Sequence, residues 1–194
     1  MRFLRIGIAG MRGQIGRALI PPLAIDFSAA LATYYDGGPL VVGCDTRVSS
    51  PMLRHAVVAA LLGCGSTVHD AGIVSEPEFC FSIPRLGARG GLLIGAQHHP
   101  KGWNALQPMS ATGACFSGVE LQELLDVYHS RRYAYRTHDA LGQAQAVPAA
   151  LQDDYLEQLC GRLDTAAIAA AKLTVVADFC NGSGARAGER LAER

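Results

Sequence analysis

Apolar residues fall along this chain in short blocks that switch between strand-like and helical spacing. Residues 4–9 read as a strand and lead into a Gly-rich turn. Residues 21–35 begin with two prolines suited to a helix N-terminus and place Leu23, Phe27, Ala30, Leu31 and Tyr34 at helical spacing. Residues 39–43 form a short apolar run of the buried-strand type. A helix over 50–63 follows, with Ser49 or Ser50 as cap, Pro51 in the first turn and Gly63 or Gly65 as the stop. Next come a strand at 66–69, a Pro-interrupted helix at 78–86 and a second buried strand at 91–96. The stretch 97–117 is turn-rich, and 119–131 is a helix with Leu121, Leu124, Leu125 and Tyr128 on one face. Polar residues 132–147, rich in Ala and Gln, read as a linker. Beyond it the pattern predicts a helix at 151–163, a strand at 173–177 and the start of a helix at 183–194.

Alternating β and α units predict a three-layer α/β/α sandwich with a mixed, largely parallel sheet. Residues 1–145 make up its first domain. Residues 146–194 read as the first β-α unit of a second, similar domain. That last unit has no sheet partners of its own, and its helix runs uncapped to the chain end, so the expectation is a truncated polypeptide. In such sheets ligands sit beyond the carboxyl ends of strands, which directs attention to the loops after Ala9, Gly43 and Ala96.

Bulk properties add little beyond exclusion. The chain has 194 residues, 17 basic and 17 acidic, so no global field favours nucleic acid or an anionic membrane. Its 49% hydrophobic content is ordinary for a globular domain, and no apolar stretch nears the ~20 residues a bilayer span needs. Cysteines 44, 64, 80, 115, 160 and 180 form no Cys-x-x-Cys pair, and several stand in apolar runs. They read as thiols of a reduced, cytoplasmic protein with neither a disulfide framework nor a zinc site. The N-terminus carries no apolar signal region.

Three loops carry candidate chemistry. The first, Gly7-Ile8-Ala9-Gly10-Met11-Arg12-Gly13-Gln14-Ile15-Gly16, is open to three readings. It suits a dinucleotide turn, a loop presenting Arg12 to a phosphate, or a tight turn with a solvated arginine. Pro21-Pro22 leaves the helix of a dinucleotide turn only one or two turns. The second loop runs Gly43-Cys44-Asp45-Thr46-Arg47-Val48-Ser49-Ser50. Asp45 and Ser49 suit turn and helix-end amides, and Arg47 is either a second anion pole or, ahead of that, a brace for a neighbouring loop. The third runs from Gly95 through Gln97-His98-His99-Pro100-Lys101-Gly102-Trp103-Asn104 to Gln107. Metal binding by the two histidines is the weaker reading there, since neighbours on an extended chain point opposite ways. His55, His69, His129 and His138 read as satisfied polar groups.

Taken in order, these motifs resemble the α-D-phosphohexomutase family (phosphoglucomutase and phosphomannomutase). Gly10-Met11-Arg12-Gly13 is similar to its Gly-Ile-Arg-Gly loop, and residues 43–50 to its Gly-Arg-Asp-Thr-Arg-x-Ser-Ser segment. Residues 95–107 resemble its Thr-Ala-Ser-His-Asn-Pro-x-x-Tyr-Asn-Gly-x-Lys loop. Val176-Ala177-Asp178-Phe179-Cys180-Asn181-Gly182-Ser183-Gly184 resembles the Asp-x-x-Asn-Gly-x-Gly turn that opens the second domain. The resemblance implies a hexose phosphate ligand, intramolecular phosphoryl transfer and Mg²⁺. It implies that Arg12 meets the phosphate, that His98 steers protons beside the nucleophile and that Asn104 holds the loop in shape. Lys101 and Arg47 are further candidates to hold a phosphate, with Trp103 against a sugar face.

The departures decide the expected mechanism. The family's phosphorylated serine falls on Gln97 and its catalytic lysine on Gln107. A carboxamide offers no hydroxyl to phosphorylate, and loss of a nucleophile elsewhere costs on the order of 10⁶ in rate. The Asp-x-Asp-x-Asp-Arg loop that holds Mg²⁺ in the family occurs nowhere in the sequence. Three expectations follow: a family member inert as this chain, a non-catalytic relative that binds phosphosugars or a partner, or a nucleophile relocated to His98. An NAD-binding Rossmann-type domain is a further alternative.

Overall fold

Two strands, β1 (Leu4–Gly7) and β2 (Gly10–Gln14), open the chain as an antiparallel hairpin. In this computed structural model, which describes residues 3–192, the hairpin joins five more strands in one mixed sheet. These are β3 (Leu40–Cys44), β4 (Val68–Ile73), β5 (Gly90–Ile94), β6 (Trp103–Ser110) and β7 (Ala144–Ala146). The spatial order is β1-β2-β6-β5-β3-β4-β7. The β5, β3, β4 and β7 strands run parallel, while β6 is antiparallel to both β5 and β2.

Helices cover both faces. On one side lie α1 (Pro21–Tyr34), α2 (Ser50–Gly63) and α4 (Gly118–Ser130). Phe27, Leu31, Leu53, Leu61 and Leu124 from these helices bury completely against Met11, Leu40, Val42, Leu92, Ile94 and Leu106. On the other side α3 (Glu76–Arg85) packs Phe79 and Ile83 onto Val41, Leu93 and Met109. The expected three-layer sandwich is therefore present, and its two cores alternate along β3, β5 and β6 as the period of two requires.

Several expected elements differ. The Gly-rich turn is the second strand of a hairpin, with Ile8 and Ala9 at its bend. This removes the strand-to-helix turn a dinucleotide site needs, because the next helix starts only at Pro21. The stretch read as turn-rich contains β6, whose six interior residues are all buried. Its polar residues Asn104 and Gln107 masked it. So did Pro108, which stands beyond Leu106, the last β6 residue paired with β2. Residues 132–147 do not hang free. Arg136 N–H donates to the Gly63 carbonyl, Gly142 N–H donates to that of Leu62, and β7 extends the sheet alongside β4. After α5 (Ala150–Cys160) a short helix that the pattern missed, α6 (Thr165–Ala170), is followed by an unpaired extended stretch where a strand was expected. Val176 is 94% exposed there, so nothing satisfies its flank. The chain's last described element is α7 (Ala185–Ala192). Among the described residues no helix is long and apolar enough to cross a membrane.

Helix α4 opens with a capping box. Ser117 Oγ accepts from the Glu120 N–H at 3.2 Å, and Glu120 returns a carboxylate to the Ser117 N–H at 2.7 Å. Those donors hold the Glu120 carboxyl below its ordinary range. Because the folded-state pKa is depressed, this contribution is complete above the usual carboxylate range and fades as pH falls through the folded value. Replacing Ser117 with alanine should lower stability by about 1 kcal/mol at neutral pH. The gap from wild type should shrink in acid, which urea titrations at pH 7 and pH 3 would show.

Candidate functional site

The parallel strands β3, β4 and β5 end at one edge of the sheet, and the segments leaving them converge. Asp45 follows β3, Glu76 opens α3 just after β4, and residues 95–102 join β5 to β6. Between these segments lies a cleft of about 450 Å³, lined among others by Asp45, Arg47, Glu76, Gln97 and Gln107. Cys180 and Ser183, from the last part of the chain, close its rim.

Gln97 stands exposed at the start of the loop, with its backbone in the left-handed region at φ +48°. Side chains other than those of Gly and Asn seldom adopt that conformation, and they persist there only when surrounding contacts fix them. Here the contacts are specific. Gln97 Nε2 donates to Glu76 Oε2 at 2.9 Å and to Gln107 Oε1 at 3.1 Å. Gln107 is buried and donates in turn to the Gly95 carbonyl at 2.7 Å. Gln97 and Gln107, at opposite ends of the third loop motif, are thus joined by one amide–amide hydrogen bond.

Arg47 lines the cleft from beneath the loop, with its donors turned onto the backbone. Its Nε donates to Asp45 and its terminal nitrogens to the carbonyls of Gln97 (2.9 Å), His99 (2.8 Å), Pro100 (3.2 Å) and Trp103 (3.3 Å). A guanidinium has five N–H donors, and these contacts occupy all five. The bracing role is what these contacts support, and no donor is left over for an anion. Asn104 ties the loop's far end to α2. Fully buried, it donates to Ser49 and Ser50 at 2.9 Å each and accepts from the Ala105 N–H at 2.8 Å. Ser50 donates to Asp45, which also receives the Arg47 backbone N–H at 3.0 Å.

His98 and Lys101 are both exposed on the loop. His99 turns inward, with Nδ1 2.9 Å from the Ala96 carbonyl and its ring 5.3 Å from that of Trp103. Arg12 pairs with Ala105 in the β2–β6 register, which puts it on the same face of the sheet as Gln107. Its guanidinium donates to the Ala9 carbonyl at 3.0 Å and lies outside the cleft lining. The structure therefore gathers Gln97, Gln107, Arg47 and Asn104 around one loop and sets Arg12 one strand to the side.

Glu76 escaped the sequence reading although it holds Gln97. Its signal lies in the topology: the loop after β4 opens at the same sheet edge as those after β3 and β5. Glu76 follows the Ser75 cap at the N-terminus of α3. For the Mg²⁺ that the family resemblance implies, the donors do not fit. Among the described residues no three His, Cys, Asp or Glu side chains gather where a metal ion could sit.

Comparison with known proteins gives a consistent result. Residues 4–134 match the family profile described as phosphoglucomutase/phosphomannomutase, alpha/beta/alpha domain I. A protein named "Probable phosphoglucosamine mutase" from Methanothermobacter thermautotrophicus is 33% identical over 151 residues, covering 77% of this chain and 33% of that protein. One of the same name from Pyrococcus abyssi is 33% identical over 181 residues, covering 92% of this chain and 38% of that protein. The chain thus spans little more than a third of these relatives. In fold it is similar to a phosphoglucomutase/phosphomannomutase family protein from Burkholderia thailandensis, with TM-score 0.75 and 24% identity over 97% of this chain and 42% of that one. It is likewise similar to the Paramecium phosphoglucomutase pp63/parafusin, with TM-score 0.76 and 16% identity over 96% of this chain and 40% of that one.

Proposed function

Because the chain belongs to the phosphoglucomutase/phosphomannomutase family, we propose that it supplies a hexose phosphate-binding first domain whose loop does not carry the phosphoryl group. The single observation behind this reading is the state of residue 97. Where the family resemblance puts a phosphorylated serine there is a carboxamide, held by Glu76 and Gln107. The amide nitrogen's lone pair is delocalised into the carbonyl, so it neither attacks phosphorus nor leaves with it. Gln107, at the lysine position, carries no charge to offset a transferring phosphoryl group.

The binding half of the chemistry keeps its parts. Arg12 presents free N–H donors to a phosphate, and Lys101 adds a positive charge at the loop surface. Asn104 and Arg47 hold the loop that shapes the cleft. Trp103, with Arg5 over its ring and His99 beside it, packs the end of that loop. A phosphorylated hexose or hexosamine is the ligand class this set suits, the latter because the relatives above are named for phosphoglucosamine. We assign residues 1–145 to the first domain and 146–194 to the opening of the second, and place the protein in the cytoplasm.

Incubation of the full chain with glucose 1,6-bisphosphate should leave its intact mass unchanged. A gain of one phosphate mapping to His98 would instead move the chemistry to the imidazole, and the inert reading would fail. Calorimetric titration with glucose 1-phosphate should give saturable binding that Arg12→Ala abolishes. Binding that survives this substitution would remove the phosphate role from Arg12.

A further inference from the structure

Helix α3 turns one side toward β6. It links the parallel strands β4 and β5 and so runs against them, and β6 runs against β5, which makes α3 and β6 co-directional. At the start of α3, Glu76 holds Gln97, which in turn bonds Gln107 of β6. One helical turn further, Cys80 has advanced about 6 Å along the axis. Two strand residues, from Gln107 to Met109, cover nearly the same distance, about 6.6 Å. Cys80 accordingly packs against the apolar cluster that contains Met109.

The chain then brings a second thiol to the same place. Beyond Ser110 it reverses in a tight turn, with the Gly113 N–H donating to the Ser110 carbonyl at 2.9 Å and the Ser110 N–H to that of Ala114 at 2.8 Å. Cys115 thereby stands opposite Met109 in an antiparallel bridge. Residues so paired share one face of the sheet, here the face that α3 covers, while Phe116 buries in the core on the other face. The turn rests on the helix at the cysteine itself: a Cβ on Gly113 would stand 3.3 Å from the Cys80 Cα. Cys115 is exposed, Cys80 is half-buried, and both are free thiols. Burial, and after it the charges of Glu76 and Cys115, push the Cys80 thiol up to about 11, so Cys80 stays protonated near neutral pH and senses a thiolate at Cys115.

We propose that Cys80 and Cys115 form a reversible oxidative modification site, at which a hydroperoxide closes a disulfide between α3 and the turn after β6. The exposed Cys115 reacts first. Its thiolate sulfur attacks a peroxide oxygen, the O–O bond breaks, and the departing hydroxide takes up the proton Cys115 gave, leaving a sulfenic acid and one water. The Cys80 sulfur then attacks the sulfenic sulfur. The S–S bond forms, the S–O bond breaks, and the hydroxide leaves with the Cys80 proton as a second water. Two thiols are thus oxidised by two electrons and one hydrogen peroxide is reduced. The new bond fastens α3 one turn from Glu76, and with it the carboxylate that holds Gln97. The inference does not depend on the hexose phosphate reading above.

The experiment treats the full native chain with near-stoichiometric hydrogen peroxide, quenches it with catalase, then unfolds and alkylates the remaining thiols for mass spectrometry. In the wild type the intact mass before alkylation should fall by two hydrogen atoms, and the peptides carrying Cys80 and Cys115 should emerge joined. Dithiothreitol should restore the starting mass. Cys115→Ser should abolish the loss and leave Cys80 fully alkylated, whereas Cys80→Ser should leave a sulfenic acid on Cys115 that dimedone captures. Full alkylation of Cys80 in the peroxide-treated wild type would overturn the proposal. So would Cys115 joined to Cys180 or to a second chain, or carried on to a sulfinic acid in place of the disulfide.

Discussion

Alanine at Gly10 should destabilise this protein by about 3–5 kcal/mol and abolish anion binding at Arg12. The backbone at Gly10 has φ +81°, where any Cβ is strained by about 1–2 kcal/mol. The larger cost is steric. An added Cβ would stand 2.1 Å from the Leu106 carbonyl oxygen and 2.9 Å from the Gln107 Cα, both backbone atoms of the adjoining strand. Neither can rotate aside, so β2 must part from β6, taking Arg12 with it. Gly16 provides the control. Its φ of +77° is nearly the same, but a Cβ there meets nothing within 4 Å. Gly16→Ala should therefore cost only about 1 kcal/mol. Urea unfolding of both variants separates the clash from the strain, and equal costs would show that the contact with β6 is not the cause.

Removing the Arg47 side chain should cost about 3 kcal/mol and unfasten the loop from Gln97 to Trp103. Four backbone carbonyls of that loop accept from one guanidinium. Hydrogen bonds to a charged donor contribute roughly 1.5–3 kcal/mol each, but these are partly exposed and share one donor group, so they do not sum. In Arg47→Ala, amide hydrogen exchange across residues 97–103 should speed up well beyond the rest of the sheet. Arg47→Lys should recover less than half of the lost stability, because an ammonium has three donors and no planar fork. Unchanged protection of the loop in Arg47→Ala would show that its shape is set elsewhere.

The parts of the fold legible in the sequence were those where burial follows a simple period. Residues 21–34, 50–63 and 118–130 are helices because their apolar positions recur at helical spacing beside a cap or proline. Leu40–Cys44 and Gly90–Ile94 are continuous apolar runs, as fully buried parallel strands should be. The hairpin and β6 were illegible for the opposite reason. Glycine and arginine fill β2, while β6 buries Asn104 and Gln107 whole. These polar side chains are tolerated inside because Ser49, Ser50 and Gly95 supply their partners. Such partners are distant in sequence and leave no local pattern.

The site divided along the same line. Arg47 stood out in the motif after β3, and Gln97, Asn104 and Gln107 in the one that runs from the end of β5 into β6. The bracing role of Arg47 was a chemical expectation that its contacts support. Glu76 could not be found that way, since its bond to Gln97 depends on where α3 begins relative to β5. The strand expected over residues 173–177 failed because β-branched composition alone does not make one. A strand needs a neighbour to pair with, and Val175 and Val176 face solvent.

The sheet order also imposes a sequence of events on assembly. Inside the sheet the hairpin of β1 and β2 touches β6 and no other strand. An isolated two-stranded hairpin is marginal in water, so this hairpin, synthesised ahead of the rest of the sheet, has no strand to pair with until residues near Leu106 have followed it. Closing that long loop is slow compared with the local α–β pairings that build the rest. The hairpin is thus the last part of the sheet to settle, and Arg12 takes its place opposite Ala105 only when the remainder of the domain is in place.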